Sequence, residues 1–308
     1  MNDRHALTVP VRAKPTVALA LSTGGARGLA HIGAIEAIEA AGYQVVGVSG
    51  SSMGALIGGI YAAGKLDVYR DWVVALQKMD VLKLVDWTLS GAGLIKGERI
   101  IGVLRELIGD VEIGELSMAF TAVATDLDRE REVWLSRGSL FDAIRASIAI
   151  PTIFRPHPLH GHRLVDGGLM NPLPLTPLLQ SPSDYTMAIN VNGAPEALPV
   201  IARVQPKPRK GLRSKIAAYV KRTIAHHVEG RSEPGWTATL TQALDLMQEN
   251  LTSFRLAADR PDLVIEVPRN ASAVYEFYRA AELIELGRER AQRALSAWQP
   301  AHLHPEQE

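Results

Sequence analysis

Gly50-Ser51-Ser52-Met53-Gly54 is a G-x-S-x-G pentad placed between the apolar run Val45–Ser49 and the helical pattern of Leu56, Ile57, Ile60 and Tyr61. A serine at a sharp strand-to-helix turn has its hydroxyl exposed at the positive end of the following helix, and Gly50 and Gly54 keep neighbouring atoms clear of it. The pentad alone is also a common loop; the strand and helix on either side single out Ser52 as a nucleophile. A free hydroxyl attacks poorly near neutral pH and needs a base. Asp166-Gly167-Gly168, following the strand pattern Arg163-Leu164-Val165, offers one. Asp-Gly-Gly by itself is an ordinary turn, but within hydrogen-bonding reach of Ser52 the carboxylate takes the proton directly, and partial burial raises its basicity.

Thr23-Gly24-Gly25-Ala26-Arg27-Gly28 follows the first apolar run and opens the first helical pattern. Glycines there let backbone N–H groups converge on a point, which makes an anion site. A dinucleotide fingerprint requires G-x-G-x-x-G and an acidic residue ending the second strand. Thr23 occupies the first glycine position and the second strand ends in Ser49-Gly50, so an oxyanion hole facing an attacked carbonyl fits better. His157, His160 and His162 cluster ahead of Asp166, with the spacing of a loop and strand entry and not that of a zinc-binding helix, so no metal is expected. His226, His227, His302 and His304 follow Asp166 in the order of a serine–aspartate–histidine triad, without a supporting motif.

These groups need a scaffold. Val17–Leu21 and Val45–Ser49 read as buried strands, each closed by a glycine turn, and Ile32, Ile35 and Ile38 place a helix between them that stops near Gly42. Strand, helix, strand, helix is a βαβ unit with parallel strands. Phe120–Thr125, Glu132–Leu135, Thr186–Val191 and Leu263–Val267 are further strands, the last returning to the same sheet; residues 242–257 and 271–294 carry long helical patterns. The fold expected is α/β. We expect a flexible segment 1–15, a catalytic core over 16–181, a continuation of the same domain over 182–298 with a mobile basic stretch at 195–235, and a tail over 299–308.

The 308 residues carry 33 basic and 33 acidic side chains, a balance that argues against a dedicated nucleic-acid binder, and no cysteine, which excludes disulfides, thiolate metal sites and cysteine nucleophiles. No apolar run is long enough to cross a bilayer and no secretory core precedes Lys14, so a cytoplasmic chain is expected. Arg203, Lys207, Arg209, Lys210, Arg213, Lys215, Lys221 and Arg222 occur without an acidic residue, and Leu212, Ile216, Tyr219, Val220 and Ile224 share a helical face. That stretch, 203–222, is either a solvated surface helix or a peripheral contact with anionic membrane. The apolar Leu82, Leu84, Val85 and Trp87 suit an acyl chain or plain core.

In this order, Gly24-Gly25-Ala26-Arg27-Gly28, Gly50 to Gly54 and Asp166 to Gly168 resemble the bacterial branch of the patatin-like phospholipase family, as do Ala124–Leu127, Arg145–Pro151 and Asn171–Pro174. The resemblance covers Val17 to Gln180 firmly and Asp245 to Val267 loosely. It implies a three-layer fold with a mostly parallel central sheet flanked by helices. It further implies a histidine-free dyad of Ser52 and Asp166, an oxyanion hole in the backbone of Gly24, Gly25, Ala26, Arg27 and Gly28 with Arg27 organising the turn, no cofactor, and hydrolysis of (lyso)phospholipid esters through an acyl-enzyme. Thr23 departs from the family's glycine. Acyl transfer on the same dyad and a non-catalytic lipid-binding module are the alternatives; head group, positional preference and oligomeric state are not written in the motifs.

Overall fold

A computed structural model describes residues 14–84, 86, 93–197 and 236–298. Val85, Trp87, the basic stretch 203–222 and all four triad-order histidines lie outside the described residues, as do 1–13 and 299–308. The chain divides into two compact units, Met1–Pro195 with Gln248–Glu308, and Glu196–Met247. Of the second, only 196–197 and the first half of a helix are described. The sheet and the residues singled out by the motifs belong to the first.

Five strands form the parallel part of the sheet: β1 (Thr16–Leu21), β2 (Gln44–Ser51), β4 (Ala119–Asp126), β9 (Tyr185–Gly193) and β10 (Leu263–Pro268). They lie in the order β10-β9-β1-β2-β4, every neighbour parallel. Antiparallel strands β5 (Arg131–Leu135), β7 (His157–Leu159) and β8 (His162–Asp166) complete eight strands. Short β3 (Gly93–Ile95) and β6 (Thr152–Phe154) pair separately. The helices are α1 (Ala30–Ala40), α2 (Met53–Ala62), α3 (Leu66–Ala75), α4 (Lys78–Lys83), α5 (Glu98–Ile108), α6 (Leu140–Ser147), α7 (Trp236–Asp259) and α8 (Ala280–Ala297).

Parallel strands bury both faces, which is why Val17–Leu21 reads as a continuous apolar run. On one face, α2 lies against Leu21, Val48 and Phe120, and α6 packs beside it through Leu140 and Ile144. All ten residues of α2 are buried, as expected of a helix apolar all round. On the other face, Ala18, Ala20 and Ala188 meet Leu173, Leu175 and Leu178, with Leu256 of α7 packed against them. The result is the mixed α/β architecture that the motifs imply, a central sheet with helices on both sides. Ile57 and Ile144 are fully enclosed, and truncating either to alanine removes about 2–5 kcal/mol.

One expectation is corrected. The pattern beginning at Ala271 is helical only from Ala280, after a single 3-10 turn at Phe277–Arg279. Residues before it are taken by specific bonds: Ala271 N–H donates to the Pro268 carbonyl, Ala273 N–H to the Glu276 carboxylate at 3.0 Å, and the Val274 carbonyl accepts the N–H of Ala26 at 2.9 Å. Hydrogen bonds to a distant loop here outweigh local helix propensity.

Candidate active site

The site grows from the edge of β4. Along that edge β2 pairs up to Ser51↔Val123, and β8, running the opposite way, takes the next position with Asp166↔Ala124. Since β5 pairs with residues 122–126 of β4, it occupies the other edge. Two strands thus arrive head-on against one edge, and the residue leaving β2, Ser52, meets the residue ending β8, Asp166. Residues 114 apart in sequence are joined by this register: Ser52 Oγ donates to Asp166 Oδ2 at 2.6 Å, both residues buried.

Ser52 holds φ 54° and ψ −121°, outside the ordinary regions for a side-chain-bearing residue, in the N-cap position of α2. Such a backbone is strained by about 1–3 kcal/mol and persists where surrounding contacts fix it. The contacts are tight: a Cβ on Gly54 would lie 2.1 Å from the Leu21 carbonyl oxygen, and one on Gly50 2.3 Å from that of Gly54. Only glycine lets α2 start this close to the end of β1. Ser52 N–H donates to Ser147 Oγ at 2.9 Å, and that hydroxyl donates to the Val123 carbonyl at 2.6 Å.

Among the described residues, no hydrogen-bond partner of Asp166 is a cation. Oδ2 accepts from Ser52, Oδ1 from Gly168 N–H at 2.7 Å, and its own carbonyl from Thr125 Oγ1. Burial raises the carboxyl to about 6, opposed by the two hydrogen bonds that favour its charged form. It therefore remains ionised near neutral pH yet is a far better proton acceptor than a surface aspartate.

The glycine-rich segment lies against the same helix start, since a Cβ on Gly28 would meet Met53 Cβ at 2.4 Å. Gly24 is extended, Gly25 takes φ +54° with Val274 directly behind it, and a 3-10 turn runs from Gly25 to Leu29. Its amides divide. Thr23 N–H donates to Pro172, Ala26 N–H to Val274 and Arg27 N–H to Gly24, so these are engaged within the protein, whereas those of Gly24 and Gly25 have no such acceptor among the described residues. The Arg27 guanidinium donates to Asn192 Oδ1 at 2.8 Å and to the Ser272 carbonyl at 3.4 Å, while Asn192 Nδ2 donates to the Thr23 carbonyl at 2.6 Å. Arg27 ties the loop to β9 and to the turn before α8.

The surroundings of other residues emerge only from the coordinates. His31, fully buried and lowered to about 4 by burial, stays neutral and donates from Nε2 to the Ser22 carbonyl at 2.9 Å, behind the loop. The Asn171 amide and Ser51 Oγ are wholly buried without a partner among the described residues. Gln248 reaches in from α7: a Cβ on Gly168 would lie 2.8 Å from its Nε2 and 3.0 Å from Asp166 Oδ1. Among the described residues no histidine hydrogen-bonds Ser52 or Asp166. His157 sits 3.8 Å from Asp142, His160 is in the β7–β8 turn, and His162 lies 3.6 Å from Asp126. Asp126, Asp128 and His162 come within 4.8 Å of one another, but Asp126 Oδ1 already accepts from Asp128 N–H and Arg129 N–H, and the Asp128 carboxylate from Arg163.

A family model described as patatin-like phospholipase matches residues 19–179. An uncharacterised NTE family protein of Mycobacterium tuberculosis (strain ATCC 25618 / H37Rv) is 36% identical over 344 residues, covering 96% of this chain and 95% of that one. The neuropathy target esterase sws of Drosophila melanogaster is 31% identical over 183 residues, which are 57% of this chain and 13% of the esterase. The crystal structure of VipD from Legionella pneumophila aligns at a TM-score of 0.44 and 13% identity over 92% of this chain and 67% of that one, too loosely to add to the argument. With the family match spanning over half of its length and a relative aligned along nearly all of it, this chain belongs to the patatin-like phospholipase family.

Proposed function

We propose that the protein hydrolyses carboxylic esters of phospholipids or lysophospholipids, with Ser52 as nucleophile and Asp166 as its only general base. The observation that carries this reading is the 2.6 Å hydrogen bond from Ser52 Oγ to a buried carboxylate raised to about 6. Family membership supports the general class, lipid ester hydrolysis.

In the reaction Ser52 Oγ attacks the ester carbonyl carbon as its proton passes to Asp166 Oδ2. The carbonyl oxygen becomes an oxyanion facing the amides of Gly24 and Gly25, which have no protein acceptor among the described residues. Collapse breaks the bond to the alcohol, which leaves with the proton from Asp166, and an acyl-Ser52 ester remains. Water then attacks, again giving a proton to Asp166, and the fatty acid departs as Ser52 recovers its hydrogen. Ala26 and Arg27 act by shaping the loop, their own amides being engaged.

Purified Ser52→Ala and Asp166→Asn should each lower turnover of a lysophospholipid and of a short-chain p-nitrophenyl ester by about three orders of magnitude or more. Circular dichroism should match the unaltered protein. Either folded variant keeping half of the normal rate contradicts the dyad. Release of free fatty acid in the presence of a competing alcohol separates hydrolysis from acyl transfer, and the absence of any turnover favours a lipid-binding module.

A further inference from the structure

We propose that Ser147 is a positioning residue, a strut that holds the Ser52 turn at its distance from Asp166; the proposal rests on Ser52 being the nucleophile. The reason lies in the ladder along β4. Between the last β2 pair, Ser51↔Val123, and the first β8 pair, Asp166↔Ala124, the partner strand changes direction. A continuing parallel strand would supply donors to β4 there; at Ser52 the chain instead turns away into α2. Ser52 N–H and the Val123 carbonyl are left facing a break in the ladder.

Ser147 closes that break. Its hydroxyl accepts from Ser52 N–H at 2.9 Å and donates to the Val123 carbonyl at 2.6 Å, as a trapped water would, in a site with no solvent exposure. It is the last residue of α6, a helix capped by the Ser139 hydroxyl accepting from Asp142 N–H at 3.3 Å. The same carbonyl abuts the turn that carries the base: a Cβ on Gly167 would lie 2.2 Å from Val123 O and 2.4 Å from Ser51 Oγ. One carbonyl therefore backs both turns, and one hydroxyl links it to the nucleophile. Without that hydroxyl a buried N–H loses its acceptor, and the strained backbone of Ser52 can relax by swinging Oγ away from Asp166. With its N–H held by Ser147, Ser52 cannot lend that amide to the oxyanion.

The test compares Ser147→Ala and Ser147→Thr with the unaltered full chain on a short-chain p-nitrophenyl ester, with Ser52→Ala as the blank. Ser147→Ala should lower kcat by about ten- to hundredfold, with KM within about twofold. The rate of phosphonate labelling at Ser52 should slow by the same factor, and the hydroxyl of Ser147→Thr should restore a large part of both. If Ser147→Ala does not fold, Ser147→Cys, of similar volume but a weak acceptor, is read in the same way. Unchanged kcat overturns the proposal, as does a joint loss of kcat, substrate affinity and thermal midpoint that threonine leaves uncorrected. Amide hydrogen exchange separates the strut from the functional reading: the peptide holding Ser52 should exchange slowly in the unaltered chain and faster in Ser147→Ala. Faster exchange without any Ser52-dependent hydrolysis supports the strut and sinks the reading; unchanged exchange sinks the strut.

Discussion

Strand β8 meets a carboxylate at each end, that of Asp128 from the β4–β5 turn and its own Asp166, held in opposite ways. At its start, Asp128 accepts from Arg163 three times, from N–H at 2.8 Å, Nε at 2.9 Å and Nη2 at 2.6 Å, near the surface. That guanidinium keeps the Asp128 carboxyl below the usual carboxylate range. At its finish, Asp166 is enclosed and, among the described residues, its carboxylate is bonded by the neutral donors Ser52 and Gly168, and burial raises it to about 6. Asp128 is tied to a permanent charge and is useless as a base; Asp166 is ready to take a proton because no cation among the described residues bonds to its ionised form. The separation of roles comes from the neighbours, since the side chain is the same.

That contrast can be broken from the active-site side first. On the proposed mechanism acylation and deacylation both need ionised Asp166, so kcat/KM should fall about tenfold per pH unit below about 6. A limb absent down to pH 4 removes the role assigned to burial. A sharper manipulation makes Asp166 resemble Asp128: Gln248→Arg places a guanidinium near Oδ1. The acid limb should then move down by about one unit, with about a tenfold loss of maximal rate as basicity drops. An unmoved limb means that solvent screens the site.

Stability gives a smaller effect with a definite sign. The folded value of Asp166, about 6, lies above the 3.8 of the free side chain. Its protonated form therefore favours folding fully below 3.8, and that contribution disappears as pH rises through about 6. Asp166→Asn should accordingly raise the thermal midpoint by several degrees at pH 8, within a ceiling of roughly 3 kcal/mol, and by less at pH 4.5. A lower midpoint at pH 8 contradicts the desolvation account. Least affected is the opposite end of β8: Asp128→Asn should leave kcat unchanged and the midpoint within about two degrees, because exposed ion pairs contribute little.

The parallel frame was legible because buried strands leave uninterrupted apolar runs, as in Val17–Leu21 and Val45–Ser49, each closed by a glycine turn. Ser52 and Asp166 could be named from motif and spacing, but not their meeting, which depends on two strands sharing one edge of β4. Ser147 lies in the family-like stretch Arg145–Pro151, but its role was illegible for the same reason: its partners Ser52 and Val123 lie 95 and 24 positions away. Strands β3, β6 and β7 have three residues each, too few for a period to show. The false start at Ala271 reflects alanine-rich sequence whose helix propensity yields to Ala26 bonding Val274. In the glycine-rich loop the motif marked five residues alike; only hydrogen-bond accounting separates Gly24 and Gly25 from Ala26 and Arg27.

The central claim is that a buried carboxylate activates Ser52 without a histidine. Its most direct measurement is peptide mapping by mass spectrometry after reaction of the folded protein with a fluorophosphonate. The account predicts one phosphonyl group, on Ser52, forming at a rate that falls by at least about a hundredfold in Asp166→Asn. Labelling at another residue, or equally fast labelling of Ser52 once Asp166 is replaced, would contradict it.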